Sequence, residues 1–339
     1  MDAIVLVGGQ GTRLRPLTST RHKSLVPVCN RPAIAYLFDW LERSGFERAV
    51  LAIGQDNEDL VEAYPPGRTQ GIEIAHVIER ERLESGGAIR NAVQAAGVEG
   101  RFTVLNGDVF VDFEFERALE AHIAREADLT LALYEMDEPS QFGVAVCDGD
   151  GMVTGFVEKP PMGMAPSNLV NAGVWIFEPR LVDEIPLGAV RVEETLFPSL
   201  VARGRRVLGY QFEGTWADIG HPARYLALNQ ALVERPGHAG NAPGAHLADD
   251  CVVKGSSIGE GCRVDSRACI TGSILWERVV VGEGASISDS IIADCATIGA
   301  GATVTGAVVG SGATVAEGAV VPRGTSVEPN SSYHAKDDH

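Results

Sequence analysis

Ile298-Gly-Ala-Gly-Ala-Thr-Val304 places two aliphatic residues six positions apart with only glycine and small residues between them. The spacing continues in both directions. Steps of 6, 6 and 5 residues join Ile258, Val264, Ile270, Leu275, Val281, Ile287, Ile292, Ile298, Val304, Val309, Val315 and Val321, and the same register reaches back to Val253 and Leu247. All fourteen positions are aliphatic. A 17-residue period of this kind predicts a three-faced parallel β-helix, in which each aliphatic side chain points to the axis and stacks on its counterpart one coil along. A β-sandwich has no reason to hold one register for so long.

Upstream of the repeat, Arg235 to Gly244 is rich in Pro and Gly and reads as a linker. Before it, short β-branched runs alternate with amphipathic stretches of helical length. Ala3–Val7, Ala49–Ile53, Ile72–Ile78, Phe102–Leu105 and Leu129–Tyr134 are expected as strands, with helices near 32–44, 56–64, 86–96 and 114–126. Such alternation predicts an α/β domain with a mostly parallel sheet, whose ligands sit at the C-terminal ends of the strands. The expected division is an α/β domain over 1–234, a linker over 235–246, the β-helix over 247–328 and a polar, disordered tail over 329–339.

Composition narrows the partners. The 339 residues carry 28 Lys and Arg against 46 Asp and Glu, a net charge of −18, which repels nucleic acid and anionic membrane surfaces. No apolar run approaches the ~18 residues of a membrane span. The first strand runs straight into glycines with no secretory leader pattern, and the six cysteines form no C-x-x-C pair. A cytoplasmic protein with reduced structural thiols is expected.

The chemistry is concentrated after the first strand, in Gly8-Gly-Gln-Gly-Thr-Arg-Leu-Arg-Pro-Leu-Thr18. There is no third glycine to complete G-x-G-x-x-G and no Walker sequence, so neither a dinucleotide fold nor a P-loop ATPase is supported. What remains is a glycine loop whose bare amides can approach an anion, followed by cations that can reach over it. Between Ala3 and Phe38 there is no acid but there are Arg13, Arg15, Arg21, Lys23 and Arg31, so this stretch holds +5 and the rest of the chain −23. That asymmetry favours a polyphosphate cradle over a merely solvated basic loop. Asp108, just past Phe102–Leu105, and Asp218, in Thr215-Trp-Ala-Asp-Ile-Gly220, are two carboxylates of the kind that together suit Mg²⁺, although each taken alone reads first as a turn or cap residue.

The ordered set G-G-x-G-T-R-L-R-P-L-T at 8–18, Lys23, G-D at 107–108, F-G at 142–143, E-K-P at 158–160, N-A-G at 171–173 and W-x-D-I-G at 216–220 resembles the sugar-1-phosphate nucleotidyltransferases. The likeness is closest to bacterial mannose-1-phosphate guanylyltransferases that carry a C-terminal left-handed β-helix of hexapeptide repeats, and it covers nearly the whole chain. It implies a Rossmann-like, mixed but mostly parallel sheet. It also implies Mg²⁺-dependent transfer of a nucleotidyl group from an NTP to a sugar 1-phosphate, with pyrophosphate released. By the resemblance, Gly8, Gly9, Gly11, Thr12, Glu84 and Gly87 bind nucleotide, while Arg13 and Lys23 hold the triphosphate as the catalytic cations. Asp108 and Asp218 bind metal, and Gly143, Glu158, Lys159 and Asn171 bind the sugar phosphate.

Two departures from the family pattern bear on detail. Ser24 follows the signature lysine where relatives usually have Pro, which alters that loop's rigidity and keeps its charge. Glu84 stands where relatives commonly have Gly; a carboxylate there can accept from guanine N1–H and N2–H₂ together, which favours GTP, and it reads equally as a helix cap. Glucose 1-phosphate or a cyclitol phosphate, with another base, would use the same anchors, and a non-catalytic sugar-nucleotide-binding paralogue is the alternative outside enzymology. An acyltransferase working from the β-helix is disfavoured, since residues 247–333 contain no histidine. The flat faces of the β-helix predict a homo-oligomer.

Overall fold

The computed structural model describes residues 1–334 apart from Asp56, Pro236, Gly237 and Ala239. Three linker positions and the last part of the expected tail therefore lie outside the described residues. The chain forms two compact units, Met1–Gly9 with Ile34–Trp216, and Gln10–Ala33 with Ala217–His339. The second unit thus takes in the signature loop and the segment after Trp216 as well as the repeat.

The first unit is built on a ten-stranded sheet. Its strands relevant here are β1 (Asp2–Val7), β2 (Arg48–Ile53), β3 (Ile72–Ile78), β4 (Phe102–Asn106), β5 (Leu129–Glu135), β6 (Gly143–Cys147), β7 (Val153–Glu158), β8 (Leu169–Phe177) and β9 (Val207–Gln211). They lie in the order β7-β6-β8-β4-β1-β2-β3, with β5 joining β8 to β9. β1 pairs parallel with β2 and β4, and β2 with β3, as the apolar runs predicted. β6, β7 and β8 pair antiparallel, so the sheet is mixed. The chain moves outward from β1 through β2 and β3 and then returns to the opposite side of β1 at β4. The point where strand order reverses is therefore the β1/β4 crevice, where ligands of open α/β sheets bind.

Helices α1 (Ala33–Arg43), α2 (Glu84–Ala96) and α3 (Phe115–Ala124) fall where amphipathic spacing placed them. Ala88, Ile89 and Ala92 of α2 share one buried cluster with Ile4, Val50 and Val104 of the sheet. Trp40 of α1 packs against Phe113 and Phe115, and its indole N–H donates to the Phe113 carbonyl at 3.0 Å.

In the second unit, residues after the linker form three parallel sheets of six, five and five short strands, the left-handed β-helix expected from the repeat. Leu247 pairs with Val264, Val264 with Val281 and Val281 with Ile298, one coil apart at each step. Most of these aliphatic residues are fully buried along the axis. One corner carries a further device. Ser256, Ser273 and Ser290 each donate a hydroxyl hydrogen to the carbonyl two residues back and accept the amide N–H of the residue one coil along, Ser273, Ser290 and Ala307 in turn. The ladder satisfies donors that burial at a tight corner would otherwise strand.

The tail departs from expectation. Val309 pairs with Val327 and Val315 with Tyr333, so the last coil has 18 residues rather than 17. Residues 330–334 are ordered: Asn330 N–H donates to the Ser311 carbonyl at 2.9 Å, and Tyr333 packs on the axial core. Polar composition hid a register that Val327 and Tyr333 continue. Helix α4 (Pro222–Val233) covers one face, with Gln230 Nε2 donating to the Gly272 carbonyl at 2.7 Å. Ile274 and Ile291, which are not part of the axial core, are buried as well.

Candidate active site

Strand register builds the first half of the site. Leu6 pairs with Asn106, and Val7 with Ile53, which in turn pairs with Ile78. Gly8, Gly54, Glu79 and Asp108 therefore emerge level with one another at the carboxyl rim. Gly107 N–H donates to the Leu6 carbonyl at 3.0 Å, which fixes the turn that carries Asp108 beside the glycine loop. A Cβ at Gly8 would stand 3.4 Å from Glu79 Oε1, so the bare flank of this glycine faces a carboxylate.

Glu79 was not anticipated. It is 5% exposed and accepts the Leu83 amide N–H at 3.2 Å. Burial pushes its carboxyl above the usual carboxylate range, with the Leu83 hydrogen bond opposing. Glu84, the sequence candidate in this region, begins α2 with a φ of 55° and is held by Arg82 at 2.8 Å and Arg191 at 3.1 Å. Gly87 is buried, and a Cβ there would meet the Gly188 carbonyl at 2.6 Å. The neighbouring Gly86 N–H donates to the Val190 carbonyl at 2.7 Å, so the 185–192 loop closes over this turn.

A second cluster lies on β6, β7 and β8. Gly143 is opposite Glu158, and a Cβ on it would come within 2.7 Å of Glu158 Oε2, so only glycine lets that carboxylate lie along the strand. The Lys159 ammonium meets Glu158 Oε1 at 2.8 Å. The register irregularity between Asn171 and Trp175 turns Asn171 inward. Its Oδ1 accepts the Trp175 indole N–H at 2.7 Å and the Gly173 amide at 3.1 Å, which commits the oxygen. Glu193 was also missed by sequence reasoning. It accepts the Ser85 hydroxyl at 2.5 Å, and burial raises its pKa, with Glu158 adding to that effect and Lys159 opposing it.

The second unit holds the remaining candidates. Gly11 has a φ of 60°, and a Cβ there would stand 3.1 Å from the Lys23 Cβ, so the loop folds onto the lysine stem. The Gly11 carbonyl accepts from Leu14 N–H at 2.9 Å and Thr18 Oγ1 at 2.7 Å, which closes the turn on itself. Thr12 and Arg13 are exposed beyond it. A Cβ on Gly220 would lie 3.1 Å from Arg13 Nη2 and 2.8 Å from Asp218 Oδ1, so Arg13 and Asp218 flank one glycine. Asp218 Oδ1 accepts the Gly220 amide at 2.6 Å and Arg224 Nη2 at 3.3 Å. Gly8, Gly9 and Asp108 thus belong to one unit, and Gly11, Thr12, Arg13, Lys23 and Asp218 to the other. Among the described residues, no group of three or more His, Cys, Asp or Glu is placed to hold a metal. One or two carboxylates with substrate phosphate is nevertheless the donor set that suits Mg²⁺.

A glycine loop at the switch point of a mostly parallel sheet, with carboxylates level with it and a β-helix in the chain behind, defines a nucleotide-handling α/β enzyme. The chain belongs to the nucleotidyl transferase family, which it matches over residues 2–235, and residues 237–336 match the GMPPB C-terminal domain. It is 35% identical over 270 residues to the mannose-1-phosphate guanylyltransferase catalytic subunit beta of Danio rerio, covering 74% of each chain. It is 33% identical over 284 residues to the mannose-1-phosphate guanylyltransferase of Mycobacterium tuberculosis, covering 78% of each. Among solved structures, HddC from Yersinia pseudotuberculosis superposes with a TM-score of 0.59 at 25% identity, over 68% of this chain and 98% of that one.

Proposed function

We propose that this enzyme transfers a guanylyl group from GTP to a sugar 1-phosphate, with mannose 1-phosphate the first candidate acceptor, and releases pyrophosphate. The observation that carries it is the level arrangement of Gly8, Glu79 and Asp108 at the β1/β4 switch point, in a chain whose relatives are named mannose-1-phosphate guanylyltransferases. The HddC structure has also been obtained complexed with GMP-PN.

At neutral pH the attacking phosphate oxygen is already ionised, so the reaction needs no general base. The barrier is the approach of two anions of roughly −4 and −2, and positioning with charge neutralisation lowers it. In this reading Gly8, Gly9, Gly11 and Thr12 cradle the nucleotide, and Arg13 and Lys23 neutralise the triphosphate and the departing pyrophosphate. Lys159 holds the sugar phosphate, while Gly143, Glu158 and Asn171 orient the sugar. Asp108 and Asp218 would hold Mg²⁺, which when bound supplies a Lewis acid for the α-phosphate.

Guanine presents two adjacent donors, N1–H and N2–H₂, which a carboxylate accepts as a pair. Glu79 suits that task because it is buried beside the glycine loop, whereas Glu84 already pairs with two arginines. A cytoplasmic location and a homo-oligomer belong to the same proposal; among the described residues no helix is long and apolar enough to cross a membrane. The test is pyrophosphate release from five NTPs against a panel of sugar and cyclitol 1-phosphates. GTP with mannose 1-phosphate should give the highest kcat/KM; preference for ATP, UTP or dTTP refutes the base assignment. Asp108→Asn should abolish Mg²⁺-dependent turnover while leaving the fold intact.

A further inference from the structure

Lys23 lies between two sets of side-chain contacts that tie residues 20–29 to α4 and the β-helix coils. Before it, Arg21 Nη2 donates to Asp294 Oδ2 at 2.9 Å, and the guanidinium lies over the Trp276 ring, 5.1 Å from its centroid. Thr20 Oγ1 and Ser311 Oγ share a hydrogen bond at 3.1 Å one coil along from Asp294. After it, Tyr225 OH donates to the Pro27 carbonyl, and Cys29 N–H donates to Asn229 Oδ1 at 2.8 Å. The two sides are joined, because the Trp276 indole N–H donates to that same Tyr225 oxygen at 3.0 Å.

This seat is well made. Asp294 and Arg21 side chains are 13% and 25% exposed, and Trp276 is 1% exposed. The second Asp294 oxygen accepts the Glu277 amide N–H at 3.1 Å, which orients the carboxylate toward the arginine. A planar guanidinium that is both paired with a carboxylate and stacked on an indole has little freedom to swing.

We propose that Arg21 is a positioning residue: its seat on Asp294 and Trp276 sets where Lys23 stands, so the β-helix helps determine affinity for the nucleoside triphosphate. The inference rests on the reading above that Lys23 meets the triphosphate. It assigns the repeat a part in the reaction beyond spacing or assembly.

The test uses the full chain and two readouts. Asp294→Asn keeps the volume and removes the charge. It should speed amide hydrogen exchange at Ser24 and Leu25, whose N–H groups donate to His22 Nδ1 at 3.2 Å and the His22 carbonyl at 2.9 Å. It should also raise KM for GTP about tenfold while KM for the sugar phosphate stays within about twofold. Arg21→Gln combined with Asp294→Asn should be no worse than Arg21→Gln alone, since the arginine substitution already removes the ion pair along with the stack on Trp276. Arg21→Lys, at a partly exposed position, gives the same readouts if Asp294→Asn fails to fold. Unchanged exchange and unchanged KM for GTP in a folded variant would overturn the proposal, as would an equal loss for both substrates. If the wild-type chain turned over no nucleotide, the functional reading would fail, while the exchange measurement would still decide whether Asp294 holds the loop.

Discussion

Single residues show where local chemistry and sequence pattern part company. Ser24 is fully buried, its amide is satisfied by His22, and its hydroxyl has no hydrogen-bond partner among the described residues. An unsatisfied buried hydroxyl costs about 1–3 kcal/mol. Ser24→Ala should therefore leave stability unchanged or raise it by up to that amount, seen as an equal or higher midpoint in urea; a loss above about 1 kcal/mol would mean the hydroxyl has a partner. Glu79 was illegible for a different reason. Ile78-Glu-Arg-Glu-Arg82 looks like a charged, solvated turn, yet carrying the strand alternation from buried Val77 past exposed Ile78 turns Glu79 inward. Glu84, by contrast, is conspicuous because it replaces an expected glycine; of its two ion pairs, that with Arg82 is local, and that with Arg191, 107 residues away, is one no local pattern reveals. The two carboxylates are separable by experiment. Glu79→Gln should cut the preference for GTP over ATP by about tenfold or more, and Glu84→Gln should change it little. The reverse ranking would return base recognition to Glu84.

At the scale of elements, periodicity was legible wherever burial is one-sided. The five strands and four helices expected up to Tyr134 and the fourteen aliphatic positions of the repeat follow from it directly, because each period of 2, 3.6 or 17 residues brings apolar side chains to one buried line; the antiparallel strands Gly143–Cys147 and Leu169–Phe177, the strand Val207–Gln211 and the helix Leu196–Ala202 do not. What periodicity missed was polar architecture: the serine ladder at 256, 273 and 290, and the final coil lengthened to 18 residues. A polar tie in the first unit gives a pH prediction. His122 of α3 is fully buried, with Nδ1 bonded to Thr130 Oγ1 at 2.7 Å and Nε2 to Glu178 at 3.2 Å. Burial lowers its pKa from the ordinary 6.5, against the raising effect of the Glu178 hydrogen bond. The unfolded chain therefore binds a proton that the folded ring refuses. The stability this confers is complete above about pH 6.5 and is lost as pH falls through the lower folded value. The melting temperature should drop between pH 7 and pH 5, and His122→Gln should flatten that slope; an identical slope in the variant would assign the acid sensitivity to other groups.

For the whole molecule, the net charge of −18 disfavours long polyanions and leaves room for nucleotides, since the acid-free stretch 3–38 concentrates five cations after one strand. That stretch reads as a cradle because its cations follow a strand end and a glycine loop. Its attachment to the β-helix was not legible, because Arg21 and Asp294 are 273 residues apart and Asp294 occupies an ordinary turn of the repeat. The attachment makes the number of coils a length standard. Neighbouring coils are spaced by about 4.8 Å, so the count between the linker and Asp294 fixes the rung at which Arg21 finds its partner. Duplicating residues 259–275 would add one in-phase coil that the axial core accepts, yet it would carry Trp276 and Asp294 one rung beyond reach, and KM for GTP should rise as it does in Asp294→Asn. Duplicating 299–315, past that rung, should leave KM unchanged. Repeat arrays ordinarily tolerate growth by whole units at any point along their length. Here tolerance is polar, strict on the linker side of Asp294 and permissive beyond it, so the history of coil gain and loss in such chains should be written almost wholly at the far end.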